Sequence, residues 1–91
     1  MEVSMFEILE VSFGIEFVAD YSGSGDDQYY VAIQNESTIT SRTSEAWGEI
    51  DMYVSARMGV DKKEARKLWQ DRLRVVEAQG RARAAAGEWA E

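Results

Sequence analysis

The sequence predicts an α+β domain: a small antiparallel β-sheet of three to four strands, followed by a helical hairpin with a long C-terminal helix. Three observations predict it. Apolar residues alternate at a period of two through the first 42 residues, they recur at helical spacing through the last 49, and Gly- and Ser-rich punctuation separates the segments. With 91 residues and no proline to stiffen a linker, the chain is expected to form one domain, 1–91, comprising a sheet part (1–42) and a helical part (43–91).

Each element follows from its local pattern. Val3, Met5 and Leu9 alternate, so residues 1–10 lean to a strand; Ser4 and Glu7 have capping-box spacing, which keeps a short helix as the alternative. Over residues 11–21 the odd positions Val11, Phe13, Ile15, Phe17, Ala19 and Tyr21 are apolar, which predicts one strand. The stretch 22–27, Ser-Gly-Ser-Gly-Asp-Asp, supplies a connection, and residues 28–34 form the returning strand with Val31 and Ile33 on one face. Asn35 and Glu36 turn the chain into a third short strand at 37–40.

Thr43 and Ser44 offer helix N-caps, and Trp47, Ile50, Val54 and Met58 make the apolar stripe of a helix ending at Gly59. Asp61 and Glu64 open the next helix, whose buried stripe is Ala65, Leu68, Trp69, Val75 and Val76. A helix unbroken over 62–91 would be about 45 Å long, against about 30 Å for a compact domain of this size. It must therefore break near Gly80 or project. Leu68, Val75, Ala82 and Trp89 fall at sevenfold spacing, which suits self-association through the tail, making a homodimer one expected partner. Trp47 and Trp69 belong to the core. Arg72 and Arg83 fall within the apolar arc, so each needs a partner, and Arg72 is expected to find an acid within the fold.

Composition narrows function. The chain lacks Cys and His altogether, which excludes disulfides, thiolate and imidazole metal sites, and Ser-His or Cys-His catalysis. No apolar run approaches the ~18 residues that span a bilayer, and acidic residues near the N-terminus replace the basic start of a signal peptide. A cytoplasmic protein is expected. Gly23 and Gly25 lack the third glycine of a dinucleotide fingerprint and the Gly-Lys-Ser/Thr of a P-loop. Glu16 and Asp20 lie four residues apart on one strand, about 13 Å, too far for a glycosidase pair. The expectation is no catalytic residue, no metal and no cofactor.

Charge is sorted along the chain. Residues 1–51 hold eleven carboxylates and one cation, Arg42, a net −10; residues 52–91 hold nine cations and six carboxylates, a net +3; the whole is −7. Such asymmetry points to a partner of opposite sign. Glu16, Asp20, Asp26, Asp27 and Glu36, with Glu45, Glu49 and Asp51 on the adjoining helix, present negative charge at intervals comparable to a phosphate backbone, with Tyr21, Tyr29 and Tyr30 as aromatic anchors; Glu16, Asp20, Tyr21, Asp26, Asp27, Tyr29 and Glu36 are the candidate partner-binding residues for a basic nucleic-acid-binding protein. A rival lies in the second half. Gly59 stands where a helix-turn-helix turns, and Lys62, Lys63, Arg66 and Lys67 stand where its recognition helix faces a groove, so nucleic acid is the partner under that alternative. An oligomeric assembly component is a third option.

The combination of about 90 residues, no Cys, strong acidity, an antiparallel hairpin with the acidic run from Glu16 to Asp27, and a helical remainder resembles the small phage and mobile-element inhibitors of host defence, anti-CRISPR proteins above all. That resemblance implies a non-enzymatic, stoichiometric inhibitor whose acidic face fills the basic channel of an effector complex such as CRISPR-Cas.

Overall fold

A computed structural model of the chain describes residues 6–22 and 28–86. Four strands, β1 (Phe6–Ser12), β2 (Ile15–Asp20), β3 (Tyr29–Ile33) and β4 (Glu36–Thr40), precede a single 3-10 turn (Ser44–Ala46) and two helices, α1 (Trp47–Met58) and α2 (Lys62–Ala85). The strands form an antiparallel meander in the order β1-β2-β3-β4. The architecture is α+β, as the sequence predicts.

One predicted strand is two. The chain reverses at Phe13 (φ 57°) and Gly14 (φ 77°), two consecutive positive φ values that define the tightest hairpin turn matching strand twist. Alternation runs unbroken through the turn because Phe13 itself packs against the core, so the period of two conceals the reversal. Gly14 serves a second purpose, since a Cβ there would lie 2.7 Å from Arg57 Nε. The early segment is accordingly a strand from Phe6 onward and not a helix. Its register to β2 skips at Leu9; the bulge directs Leu9 to the core while Glu10 meets α2.

Both helices cover one face of the sheet. Ile15, Phe17, Val31 and Ile33 from the strands meet Ile50 and Val54 from α1 and Ala65, Trp69 and Val76 from α2 in one buried cluster. Burial of each large side chain there contributes about 1.5–3 kcal/mol. α1 ends in Gly59, whose φ of 71° and N–H bond to the Ser55 carbonyl make a left-handed C-cap. Asp61 then accepts from the Glu64 N–H at 2.7 Å, the expected start of α2. The first helix begins more loosely, because Thr43 makes no side-chain cap.

The last helix neither breaks nor kinks at Gly80. It runs unbroken for 24 residues, about 36 Å, along a molecule 41 Å in its longest dimension. Gly80 is buried, and a Cβ on it would come within 2.7 Å of the Tyr29 ring; glycine is there for close approach to β3. The buried stripe of α2 is Ala65, Trp69, Val76 and Gly80, whereas Val75 is 42% exposed. Met58 likewise lies outside the core. Trp89 and most of the acidic connection between β2 and β3 fall outside the described residues.

Three acids from the first half are tied to arginines. Asp51, buried on α1, accepts two bonds from Arg66 Nε and one at 2.7 Å from Nη2, plus one from Trp69 Nε1 at 2.8 Å. Arg66 also lies 5.3 Å above the Trp47 ring, and Trp47 meets Trp69 edge to face at 6.1 Å. Glu10 receives Arg72 Nε at 2.6 Å across 62 residues of sequence, which gives Arg72 its internal acid. Arg72 holds the Glu10 carboxyl below the usual carboxylate range. Asp20 pairs with Arg42.

Candidate protein-binding surface

Among the described residues, the meander is covered on one side only. On the helix-free side, β1 presents Phe6, Ile8 and Val11, which are 54%, 54% and 52% exposed. They sit opposite Asp20, Val18 and Glu16 of β2 respectively, and Tyr30 and Ala32 of β3 continue the same face through their pairing with Val18 and Glu16. Val18, Tyr30 and Ala32 form a second, smaller apolar cluster. Phe6, Ile8, Glu16, Val18, Tyr30 and Ala32 floor a groove of about 470 Å³ that reaches Thr40 and Arg42. An apolar stripe on a water-facing sheet is a candidate interaction surface.

Charge at the ends of this groove is specific. Asp20, 4% exposed, accepts from the Ser22 hydroxyl at 2.6 Å and from the Ser22 amide at 3.0 Å, and it pairs with Arg42. The Ser22 hydroxyl foremost, with Arg42, holds its carboxyl below the ordinary range. Arg42 also stacks 4.2 Å over the Tyr30 ring, whose phenol burial pushes upward in pKa. At the other end of β2, Glu16 lines the groove and forms no ion pair among the described residues.

A second surface lies at the seam of β4 and α1. Ile33, Ile39, Met52 and Tyr53 line a groove of about 350 Å³ with Gln34, Glu36 and Glu49 at its edge. Met52 is 55% exposed. Glu45 precedes Glu49 by four residues, close to one helical turn. None of Glu36, Glu45 and Glu49 forms an ion pair among the described residues, so this seam keeps its negative charge.

The predicted partner-binding set is therefore divided by the fold. Glu16 and Asp20 share the open sheet face, but Asp20 is buried against Arg42 and is not presented to a partner. Tyr21 donates to Glu7 at 2.6 Å, and burial, with Glu7, raises its phenol pKa well above the ordinary range. Tyr29 is on the helix-covered face against Gly80, under Arg81 at 5.1 Å, and so serves packing. Glu36 stands at the far turn beside α1. Asp26 and Asp27 lie outside the described residues. Of the rival basic set, Lys62, Lys63 and Lys67 are exposed, whereas Arg66 is committed to Asp51 and Trp47.

The residues that sequence reasoning passed over are Phe6, Ile8 and Val11. Their signal was present: they alternate with Glu7 and Glu10, the mark of a strand whose apolar side is distinct from its charged one. The hidden turn at Phe13 and Gly14 obscured it. Among the described residues no three of Asp and Glu gather as a metal site, and no helix is long and apolar enough to cross a membrane. No protein-family model matches the chain, and no curated protein and no solved structure is significantly similar to it.

Proposed function

We propose that the chain is a non-enzymatic binding domain whose acidic surface occupies the basic nucleic-acid-binding site of a partner protein, the action of the small phage-type inhibitors of host defence that its sequence resembles. A CRISPR-Cas effector in the host cytoplasm is the partner type this resemblance suggests. One observation carries the proposal: Glu36 and Glu49 line one groove with the exposed Met52 and the partly buried Ile39, Glu45 precedes Glu49 by four residues, and none of the three acids forms an ion pair among the described residues, so one surface combines negative charge with an apolar anchor. Lys and Arg side chains that would neutralise a nucleic-acid backbone meet carboxylates there, and Met52 supplies desolvated contact area. The acids that the fold internalises, Asp20 and Asp51, take no part.

The test is affinity capture from nuclease-treated lysate with a salt-step elution, followed by a competition assay on the captured protein. The expected result is a basic nucleic-acid-binding protein that is released by salt and loses its nucleic acid when this chain is added. Reversal of Glu36, Glu45 and Glu49 to Lys abolishes both. Competition that survives the triple reversal rejects the acidic seam, and a chain that, from an untreated control lysate, retains only nucleic acid, through Lys62, Lys63 and Lys67, rejects the mimic altogether.

A further inference from the structure

The open sheet face forms a groove distinct from the acidic seam, the two adjoining at Ile33 and the β3–β4 turn, and it calls for a different occupant. We propose that a second copy of this chain packs on it, sheet against sheet, about a two-fold axis that lies in the interface perpendicular to the strands. Charge complementarity selects this occupant. The charged side chains lining the face, among the described residues, are Glu16 near one end of the strands and the Asp20–Arg42 pair at the other. A basic partner would set its cations against Arg42 as well as Glu16. A two-fold copy instead reverses the strand direction, which brings Arg42 of each copy over Glu16 of the other.

The apolar positions obey the same symmetry. Phe6 is level with Asp20, Ile8 with Val18 and Val11 with Glu16, so Ile8 and Val18 lie near the axis while Phe6 meets Val11 of the other copy. Facing sheets pack about 10 Å apart with their strands within about 30° of each other. Four strands of about five residues give a face of about 19 by 17 Å. That is about 320 Å² per copy, below the range of stable interfaces and in that of weak, transient ones, so the dimer is reversible and forms at micromolar to submillimolar concentration. Glu36 and Glu49 line the neighbouring groove and not this one, and the −7 charge of each copy opposes approach only through screened, long-range repulsion.

Sedimentation velocity from micromolar to submillimolar concentration, at low and high salt, tests this. A dimer whose population grows with salt is expected, the opposite of the salt response of an acidic mimic on a basic partner. Ile8→Lys places a charge at the axis and is expected to weaken association about tenfold or more; Glu16→Arg weakens it several-fold. Because the chain has no cysteine, Ile8→Cys is expected to be captured as a covalent dimer by a bismaleimide long enough to span the roughly 10 Å between facing sheets, which a direct disulfide does not reach, while Met52→Cys on the acidic seam is not. A chain that stays monomeric at submillimolar concentration overturns the proposal. So does a dimer that persists in Ile8→Lys, which would lie elsewhere on the chain, or equal cross-linking through Met52→Cys. Loss of basic-partner binding in Ile8→Lys without any self-association would give the face to that partner instead.

Discussion

On the side of the sheet that meets the helices, Ile15, Phe17 and Val31 have no exposed surface, whereas on the other side Phe6, Ile8 and Val11 keep more than half of theirs. Both sides arise from the same alternation of apolar residues along neighbouring strands. They differ in what the helical half supplies. Trp69, Ile50 and Val54 close one face, and charge organises the two differently: Glu10 reaches Arg72 of α2 on the covered side, while Asp20 on the open side finds Arg42 from the sheet's own end. The covered face is thus stabilised by the whole chain, and the open one needs only the sheet to keep its shape.

The largest effect that sharpens this contrast is expected at Trp69, which is 1% exposed and donates to the buried Asp51. Trp69→Ala removes core volume and one of the bonds that Asp51 accepts, leaving those from Arg66, so it should cost about 3–5 kcal/mol, read as a fall in the urea midpoint. For a domain this small that approaches its whole stability. A loss under about 1 kcal/mol would mean that the helices are not what closes this face.

Glycine gives the next test, with opposite signs at two sites. Gly80→Ala drives a Cβ into the buried Tyr29 ring and should destabilise by about 1–2 kcal/mol, despite alanine's better helix propensity. Gly48→Ala, in the first turn of α1 with open space around it, has only the propensity gain and should stabilise by about 0.5 kcal/mol. Equal responses in thermal melts would show that α2 does not approach β3 closely.

Much of this architecture was legible from spacing alone. The sheet-then-helices order, the Asn35 turn, the Gly59 and Asp61 boundary and the internal partner of Arg72 all rest on local rules or on a cation placed in an apolar arc. What was not legible depends on contacts between distant segments. Phe13 sits in a left-handed turn that few non-glycine residues favour, yet its apolar side chain preserved the strand period. Gly80 looks like a helix breaker until Tyr29 is set against it. Asp20 and Asp51 read as surface acids because their arginines lie 22 and 15 residues away, so the candidate acidic face lost two members to pairing and gained coherence only at Glu36, Glu45 and Glu49. Leu9, next to the bulge, shifted the register that would have shown Ile8 and Val11 to share the open face.

A smaller effect is expected from acid. Glu10 and Asp20 both have lowered pKa values in the folded chain, so each binds its proton more readily when unfolded. Their contribution is present above the ordinary carboxylate range near 4 and is lost as pH falls through their lower folded values. Melting temperature should therefore drop below about pH 4, and Glu10→Gln should flatten that drop while costing under about 1 kcal/mol near neutrality, because Arg72 is partly exposed. An unchanged acid profile in Glu10→Gln would show that the Arg72 pair across the covered face adds nothing to folding.

The smallest effect on stability is expected where exposure is greatest. Ile8→Lys leaves a long side chain in solvent on a strand whose apolar side, among the described residues, has no helix over it, and at dilute, monomeric concentration its unfolding free energy should stay within about 0.5 kcal/mol of the parent. The same change at Ile15, which lies on the covered side of β2 with no exposed surface, would bury an unpaired ammonium and prevent folding. The pair isolates the two faces with one chemistry. If Ile8→Lys proves as damaging as a core substitution in dilute solution, the open face is already packed within the single chain and has no role in association; if it is silent there yet abolishes the concentration-dependent dimer, β1 holds its apolar stripe for a surface outside its own fold.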